Sequence, residues 1–191
     1  EKLMGSSVKQ MHSFFSPGSV AIVGASRKSN KAGHVIFKNF AENKRRGVFS
    51  GEIYPVNPFE NSVLGHKTYS SVKEVPGELE LVVIVIPAKH VVDVMKDAAS
   101  KGVEAAVIIS SGFSEIGNDE LENQIEAIAK EAEIRVLGPN CLGVFDSRTG
   151  VDMLFLPETR ILTTGDVVVA TPRPMRGDVA IVTQSGAFGV A

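Results

Sequence analysis

The feature that most constrains this chain is Ser19-Val20-Ala21-Ile22-Val23-Gly24-Ala25-Ser26, an apolar run that stops at a glycine and small residues. Residues 20–23 are too few for a helix, and their unbroken apolar character fits a parallel strand covered on both faces. Gly24 permits a tight turn or a close backbone approach. A helix is expected to begin near Ser29 or Asn30, either of which can act as N-cap. Its free N–H groups and positive dipole end would then face the strand tip, a site suited to an anionic nucleotide. Such a strand needs parallel neighbours and covering helices from the rest of the chain.

The chain supplies them in alternation. Residues 31–43 read as a helix with Ile36, Phe37 and Phe40 inward, ended by Arg46-Gly47. Residues 51–58 read as a second strand closed by a proline-rich turn. Residues 64–69 form a loop crossing the sheet edge, and 70–75 a helical turn. The most apolar run, 81–86 before Pro87, is a central strand. Val91, Val94, Met95 and Ala98 then repeat at helical spacing up to Gly102. Residues 105–109 make a fourth strand opening into Ser110-Ser111-Gly112-Phe113-Ser114-Glu115, a polar loop where open α/β sheets bind ligands. Asn118 or Asp119 caps the next helix, with Glu122 placed for a capping box and Leu121, Ile125, Ile128 and Ala132 inward. Residues 135–137 make a fifth strand, closed by Gly138-Pro139-Asn140-Cys141-Leu142-Gly143. The pattern predicts an α/β fold with a doubly wound parallel sheet.

After about residue 145 the character changes. Residues 146–177 read as a turn-rich connector with one strand at 167–169. Val179-Ala180-Ile181-Val182-Thr183 then restarts the opening theme as a strand, followed by a second glycine-bearing turn, Gln184-Ser185-Gly186-Ala187, into a helix. The expected division is a first domain over residues 1–145, and over 146–191 a connector with the opening of a second domain.

Composition excludes several classes. With net charge -2, 43% hydrophobic and 22% charged residues, the chain gives no global reason to expect nucleic acid or a membrane as partner. Lys44-Arg45-Arg46 is read as the solvated cationic end of the first helix. One cysteine, Cys141, rules out an intrachain disulfide. No run approaches the length of a membrane helix, and residues 1–7 lack the order of a signal peptide, so a cytoplasmic location is expected. His12, His34, His66 and His90 fall in different elements with no metal-ligand spacing, and no metal site is expected.

Two readings stand for Gly24-Ala25-Ser26-Arg27-Lys28, which is neither a complete Gly-x-Gly-x-x-Gly nor a Walker A loop. One is a βα turn that binds nothing; the other is a phosphate turn, favoured by two cations beside a helix N-terminus. At the end of the second strand, where an NAD-binding fold wants an acid for the ribose diol, stand Asn57 and Pro58. Cys141 is read as a small buried residue rather than a nucleophile. Glu115 is either a general base, a carboxylate that orients a partner, or a solvated loop residue.

Taken together, residues 20–26, Tyr54-Pro55-Val56-Asn57-Pro58, Ser111-Gly112-Phe113-Ser114-Glu115, Gly138-Pro139-Asn140-Cys141-Leu142-Gly143 and Gln184-Ser185-Gly186-Ala187 resemble the ADP-forming acyl-CoA synthetases, relatives of the succinyl-CoA synthetase α subunit. The resemblance implies a Rossmann-like CoA-binding domain followed by a flavodoxin-like CoA-ligase domain. It implies coenzyme A contacts at Gly24, Ala25, Ser26, Arg27, Lys28, Asn57, Pro58, Pro87, Ser110, Ser111 and Gly112. Asn140, Gln184, Ser185 and Gly186 become candidates for the acyl and phosphate site. The family's phosphohistidine lies past Ala191, so no catalytic residue is assigned here. ATP, ADP and Mg2+ would be held by an ATP-grasp domain or a β-type subunit, in an oligomer acting on a small carboxylic acid. Two other readings remain open: a CoA or acyl-CoA sensor attached to an acyltransferase, and an NAD-binding redox sensor or oxidoreductase.

Overall fold

The computed structural model describes residues 11–186. The N-terminal residues 1–7 and the helix expected after Gly186 lie outside them. Five parallel strands form the main sheet: β1 (Ser19–Val23), β2 (Glu52–Val56), β3 (Leu81–Ile84), β4 (Ala105–Ile108) and β5 (Arg135–Leu137), in the order β2-β1-β3-β4-β5. Three helices connect them: α1 (Ala32–Arg45), α2 (Val91–Lys101) and α3 (Asp119–Glu131).

The two faces follow from side-chain alternation along the strands. Val20 and Ile22 of β1, Leu81 and Val83 of β3, and Ala105 and Val107 of β4 point to one face, under Ile36, Phe37 and Phe40 of α1. Ala21, Val23, Val82, Ile84, Ala106 and Ile108 point to the other, under Met95 and Ala98 of α2 and Ile125 and Ala129 of α3. With both faces covered every residue of β1, β3 and β4 is buried, which is why these strands read as continuous apolar runs. Truncating Ile22, wholly buried, to alanine would cost about 2–5 kcal/mol.

Beyond β2 the sheet gains a single parallel bridge, Val56 to Tyr69. Tyr69 N–H donates to Pro55 O at 3.0 Å, and Asn57 N–H to Tyr69 O at 2.9 Å. A one-residue strand thus occupies the place of the third strand in the Rossmann order, and the order reverses between β1 and β3.

Several expectations are corrected. α1 starts after Lys31, whose extended backbone (φ -93, ψ 139) carries no side-chain cap, because residues 28–31 close a turn of their own through Lys31 N–H to Lys28 O at 3.0 Å. Ser29 and Asn30 are used up in that turn. The capping box on α3 does not form: Glu122 accepts from Ser114 N–H at 3.2 Å, and Asn118 donates to Gly112 O at 2.9 Å. A short 3-10 turn, Ser114–Ile116, carries the preceding loop back onto the helix.

Past β5 the chain keeps packing on the α1 face. An antiparallel pair, β6 (Phe145–Asp146) with β7 (Val151–Asp152), brings Val144, Val151 and Met153 into the core beside Phe37 and Phe40. Asn39 and Asn43 of α1 donate to Leu154 O (3.0 Å) and Gly150 O (2.9 Å). Arg173 ties the following segment to it, donating to Asp152 at 2.7 Å and to the carbonyls of Thr171, Leu154 and Leu156. A second hairpin pairs β8 (Thr159–Ile161) with β9 (Val167–Val169), the strand expected there. Residues 179–183 form no strand. Val179, Ile181 and Val182 are 89%, 73% and 100% exposed, since a strand needs a ladder partner and none of the described residues supplies one. Among the described residues no helix is long and apolar enough to cross a membrane.

Candidate functional site

The site lies at the carboxyl ends of the strands, over the point where the order reverses. Two glycines build it. Gly24 leaves β1 at φ +95, and a Cβ on it would lie 2.3 Å from Val85 O. A Cβ on Gly33, in the first turn of α1, would lie 2.0 Å from Gly24 O. Helix and turn therefore meet backbone to backbone, and the helix N-terminus comes down directly on the strand tip. Ala32 and Gly33, whose amides precede any carbonyl the helix can offer, belong to the wall of the resulting cavity.

Other bonds fix the turn. His34, buried in α1, donates through Nδ1 to Ser26 O at 2.7 Å, which sets its tautomer. Ser26 Oγ accepts from Lys28 N–H at 3.2 Å. From the end of β2, Asn57 Nδ2 donates to Ala25 O at 2.7 Å while its Oδ1 accepts from Phe59 N–H at 2.9 Å. Arg27 pairs with Glu60, whose side chain is only 11% exposed.

The cavity encloses about 1180 Å³. Of the residues singled out in the sequence, Gly24, Ser26, Lys28, Asn57, Pro58, Pro87, His90, Ser110, Ser111, Asn140, Cys141 and Gly186 line it. Ala25, Arg27, Gly112, Gln184 and Ser185 do not. Ala25 is fully buried beneath the turn. Arg27 is turned to Glu60, and the Gly112 amide is taken by the Glu115 carboxylate. The Ser110 hydroxyl, at the wall but buried, accepts from Ile86 N–H at 3.0 Å and locks β3 to β4. Gly186 packs on Leu142: a Cβ there would sit 3.4 Å from Leu142 Cγ, so the second glycine turn closes on the far wall.

Sequence reasoning missed Gly33, Lys31, Phe59 and Glu60. Gly33 stands nine residues after Gly24, outside any glycine fingerprint. Only a small residue at the first turn of a predicted helix hinted at close packing.

Lys28 and Lys31 put two cations beside the helix N-terminus, suiting a phosphate group. Glu115 is held below the usual carboxylate range, chiefly by the Gly112 N–H, then by its own N–H and that of Phe113. It therefore stays ionised as a loop-fastening acceptor, and neither a base nor an orienting role is needed to explain it. Cys141, expected to be buried, is half-buried and lines the cavity; burial pushes its thiol up, and its Sγ donates to Ile108 O at 3.4 Å, which does not activate it as a nucleophile. Among the described residues no group of three His, Cys, Asp or Glu is arranged to hold a metal ion.

Fold and site define a Rossmann-like nucleotide-binding protein. Residues 18–146 match the CoA binding domain family, and the chain belongs to it. It is 42% identical over 171 residues to an ADP-forming acetate–CoA ligase of Methanocaldococcus jannaschii, covering 90% of this chain and 21% of that one. It is 36% identical to the α subunit of ADP-forming acetate–CoA ligase II of Pyrococcus furiosus, covering 92% of this chain and 35% of the relative. Among solved structures, the Ca. Korarchaeum cryptofilum dinucleotide forming acetyl-coenzyme A synthetase 1, in complex with phosphate and ADP, superposes with TM-score 0.81 at 34% identity. That match covers 95% of this chain and 35% of the other. The chain thus spans about a fifth to a third of these relatives' lengths.

Proposed function

We propose that this chain is the CoA-binding part of an ADP-forming acyl-CoA synthetase. In the overall reaction, phosphate displaces CoA from an acyl-CoA to give an acyl phosphate. Its phosphoryl group passes to a histidine with release of the acid, and then to ADP to give ATP. The phosphohistidine and the ATP-grasp part, with ADP and Mg2+, would lie outside these residues, in another domain or a β-type subunit. The carrying observation is the Gly24–Gly33 backbone contact, which seats a helix N-terminus and two lysines over a cavity in a chain of the CoA binding domain family.

On this reading Gly24, Ser26, Lys28 and the first amides of α1 receive the CoA diphosphate. Asn57, Pro58 and Pro87 border the nucleotide, and Ser110 and Ser111 border the pantetheine. Arg27 becomes available if a ligand phosphate draws it from Glu60, whereas Ala25 and Gly112 act by shaping the loops. Asn140 and Gly186, on the opposite wall, are placed for the acyl and phosphate end, with Gln184 and Ser185 leading into that turn. Residues 146–191 would lead into the second, flavodoxin-like domain. Against an NAD site, Asn57 stands at the end of β2 where a ribose diol wants an acid, and both polar atoms of its side chain are spent on the protein.

Calorimetry with CoA, dephospho-CoA and NAD tests this. Binding of CoA without NAD is expected, weakened when the 3′-phosphate is missing; binding of NAD in preference to CoA would overturn it.

A further inference from the structure

The cavity wall includes an aromatic side chain that the fold does not cover. Phe59 is 90% exposed, directly at the mouth of the site, between Pro58 and Glu60. Large aromatic side chains are usually covered, because their surface is worth more out of water. The exposure does not come from a slack loop. The Phe59 amide is held by Asn57 Oδ1, the Glu60 amide bonds Asn57 O at 3.4 Å, and Glu60 is pinned by Arg27. Asn57 is itself tied to Tyr69 on one side and Ala25 on the other. The backbone that carries Phe59 is fixed, and its ring is left bare at the cavity wall, where a flat ligand can cover it.

Topology says which part of the ligand reaches it. The phosphate turn sits at the tip of β1. On the β4 and β5 side lie Ser111, Asn140 and Gly186; on the β2 side lie Phe59, Ser70, Ser71 and Val72. A ligand anchored centrally by its diphosphate must send one end each way. The pantetheine end suits the wall of small and polar residues, and the β2 side offers the aromatic face that a purine uses.

Resting on the CoA reading above, we propose that Phe59 is the stacking platform for the adenine of the bound nucleotide, and so sets the preference for a ligand carrying a nucleobase. The chain contains no tryptophan, which allows a direct optical test. Calorimetry would be run on the wild type and on Phe59→Ala and Phe59→Trp, with CoA and with 4′-phosphopantetheine, which lacks the adenosine part. Phe59→Ala is expected to weaken CoA by about 5- to 100-fold and to leave phosphopantetheine unchanged. Phe59→Trp is expected to keep CoA binding, and its single indole to be quenched by CoA but not by phosphopantetheine. Wild-type affinity for CoA in Phe59→Ala, with no quenching in Phe59→Trp, would overturn the platform and leave the CoA reading standing. Equal weakening of both ligands would also overturn it, by making Phe59 a prop for the loop. Emission that responds to protein concentration and not to CoA would make Phe59 a partner contact and overturn it as well. If the wild type does not bind CoA at all, the underlying reading fails and this one with it.

Discussion

Replacing Gly33 by alanine probes the contact on which the site depends. The new Cβ would start 2.0 Å from Gly24 O, so the end of α1 must retreat by roughly 1 Å or more to reach ordinary van der Waals separation. Forcing atoms into a packed position costs about 1–3 kcal/mol. Alanine returns at most about 1 kcal/mol of helix propensity, and less in a first turn. The net destabilisation is about 1–2 kcal/mol, a fall in Tm of roughly 2–8 °C for a chain of this size. On the proposed CoA reading ligand affinity should fall further than stability, because the helix amides would be displaced from the ligand's phosphate. Losing a hydrogen bond to a charged group costs about 1.5–3 kcal/mol, or roughly 10- to 100-fold in Kd. Thermal denaturation followed by circular dichroism gives the first quantity and calorimetry with CoA the second. Unchanged Tm and unchanged Kd together would refute the reasoning, since the backbone contact would then be neither tight nor part of the site. Gly24 is a poorer probe: a Cβ there would lie 2.3 Å from Val85 O, at φ +95, so a larger residue would disturb the fold together with the site.

Four further outcomes are expected. Arg173→Ala leaves the Asp152 carboxylate buried and unpaired, at a cost of about 3 kcal/mol, and hydrogen exchange should rise in residues 150–156 and not in β1. In the wild type, burial outweighs the Arg173 partner and raises the Asp152 carboxyl. Its protonation therefore favours the folded state, and stability at this group should grow as pH falls from the raised value toward the ordinary one. Exchange of 150–156 that accelerates over that window would contradict this. Glu115 has the opposite sign. Its depressed carboxyl supports the loop above the ordinary carboxylate range and loses that support as pH falls through the folded value, so Gly112 and Phe113 amides should exchange faster in acid and in Glu115→Gln. Cys141, raised by burial, should alkylate more slowly than a free thiol at neutral pH, and Cys141→Ser should keep CoA affinity within about twofold.

Where local chemistry decided the outcome, the sequence was a good guide. β1, β3 and β4 announced themselves because burial on both faces leaves only apolar residues, and β5 and α2 ended where their last apolar residue and Gly102 placed them. What could not be read depended on partners distant in the chain. The start of α1 is set by Gly33 meeting Gly24, not by a capping side chain. β6 and β7 are two residues each, too short to show a period, and they exist because Val151 and Met153 fill the α1 face. The Arg173–Asp152 pair joins residues of a stretch that reads only as turns. Residues 179–183 have the composition of a strand but no neighbour among the described residues to pair with. Within the site, the strand-end loops were found but their division of labour was not. Which amides and hydroxyls are spent on the fold, as at Ser110 and Gly112, appears only when the bonds can be counted.

The single bridge at Tyr69 also bears on how this protein meets others. β2 would otherwise expose a free strand edge, which invites another chain to add to the sheet. Pro55 has no N–H to offer at its outward-facing position, its carbonyl is occupied by Tyr69, and the Asn57 amide is occupied as well. Tyr69 is braced in turn by Tyr54, ring to ring at 5.8 Å, and by Lys67 over its face at 5.5 Å. The upper end of that border is sealed from within by one residue. Assembly at that upper end must therefore form through side chains and loops rather than by continuing the ladder, so the cavity opens beside a stretch of border that is closed to a foreign strand.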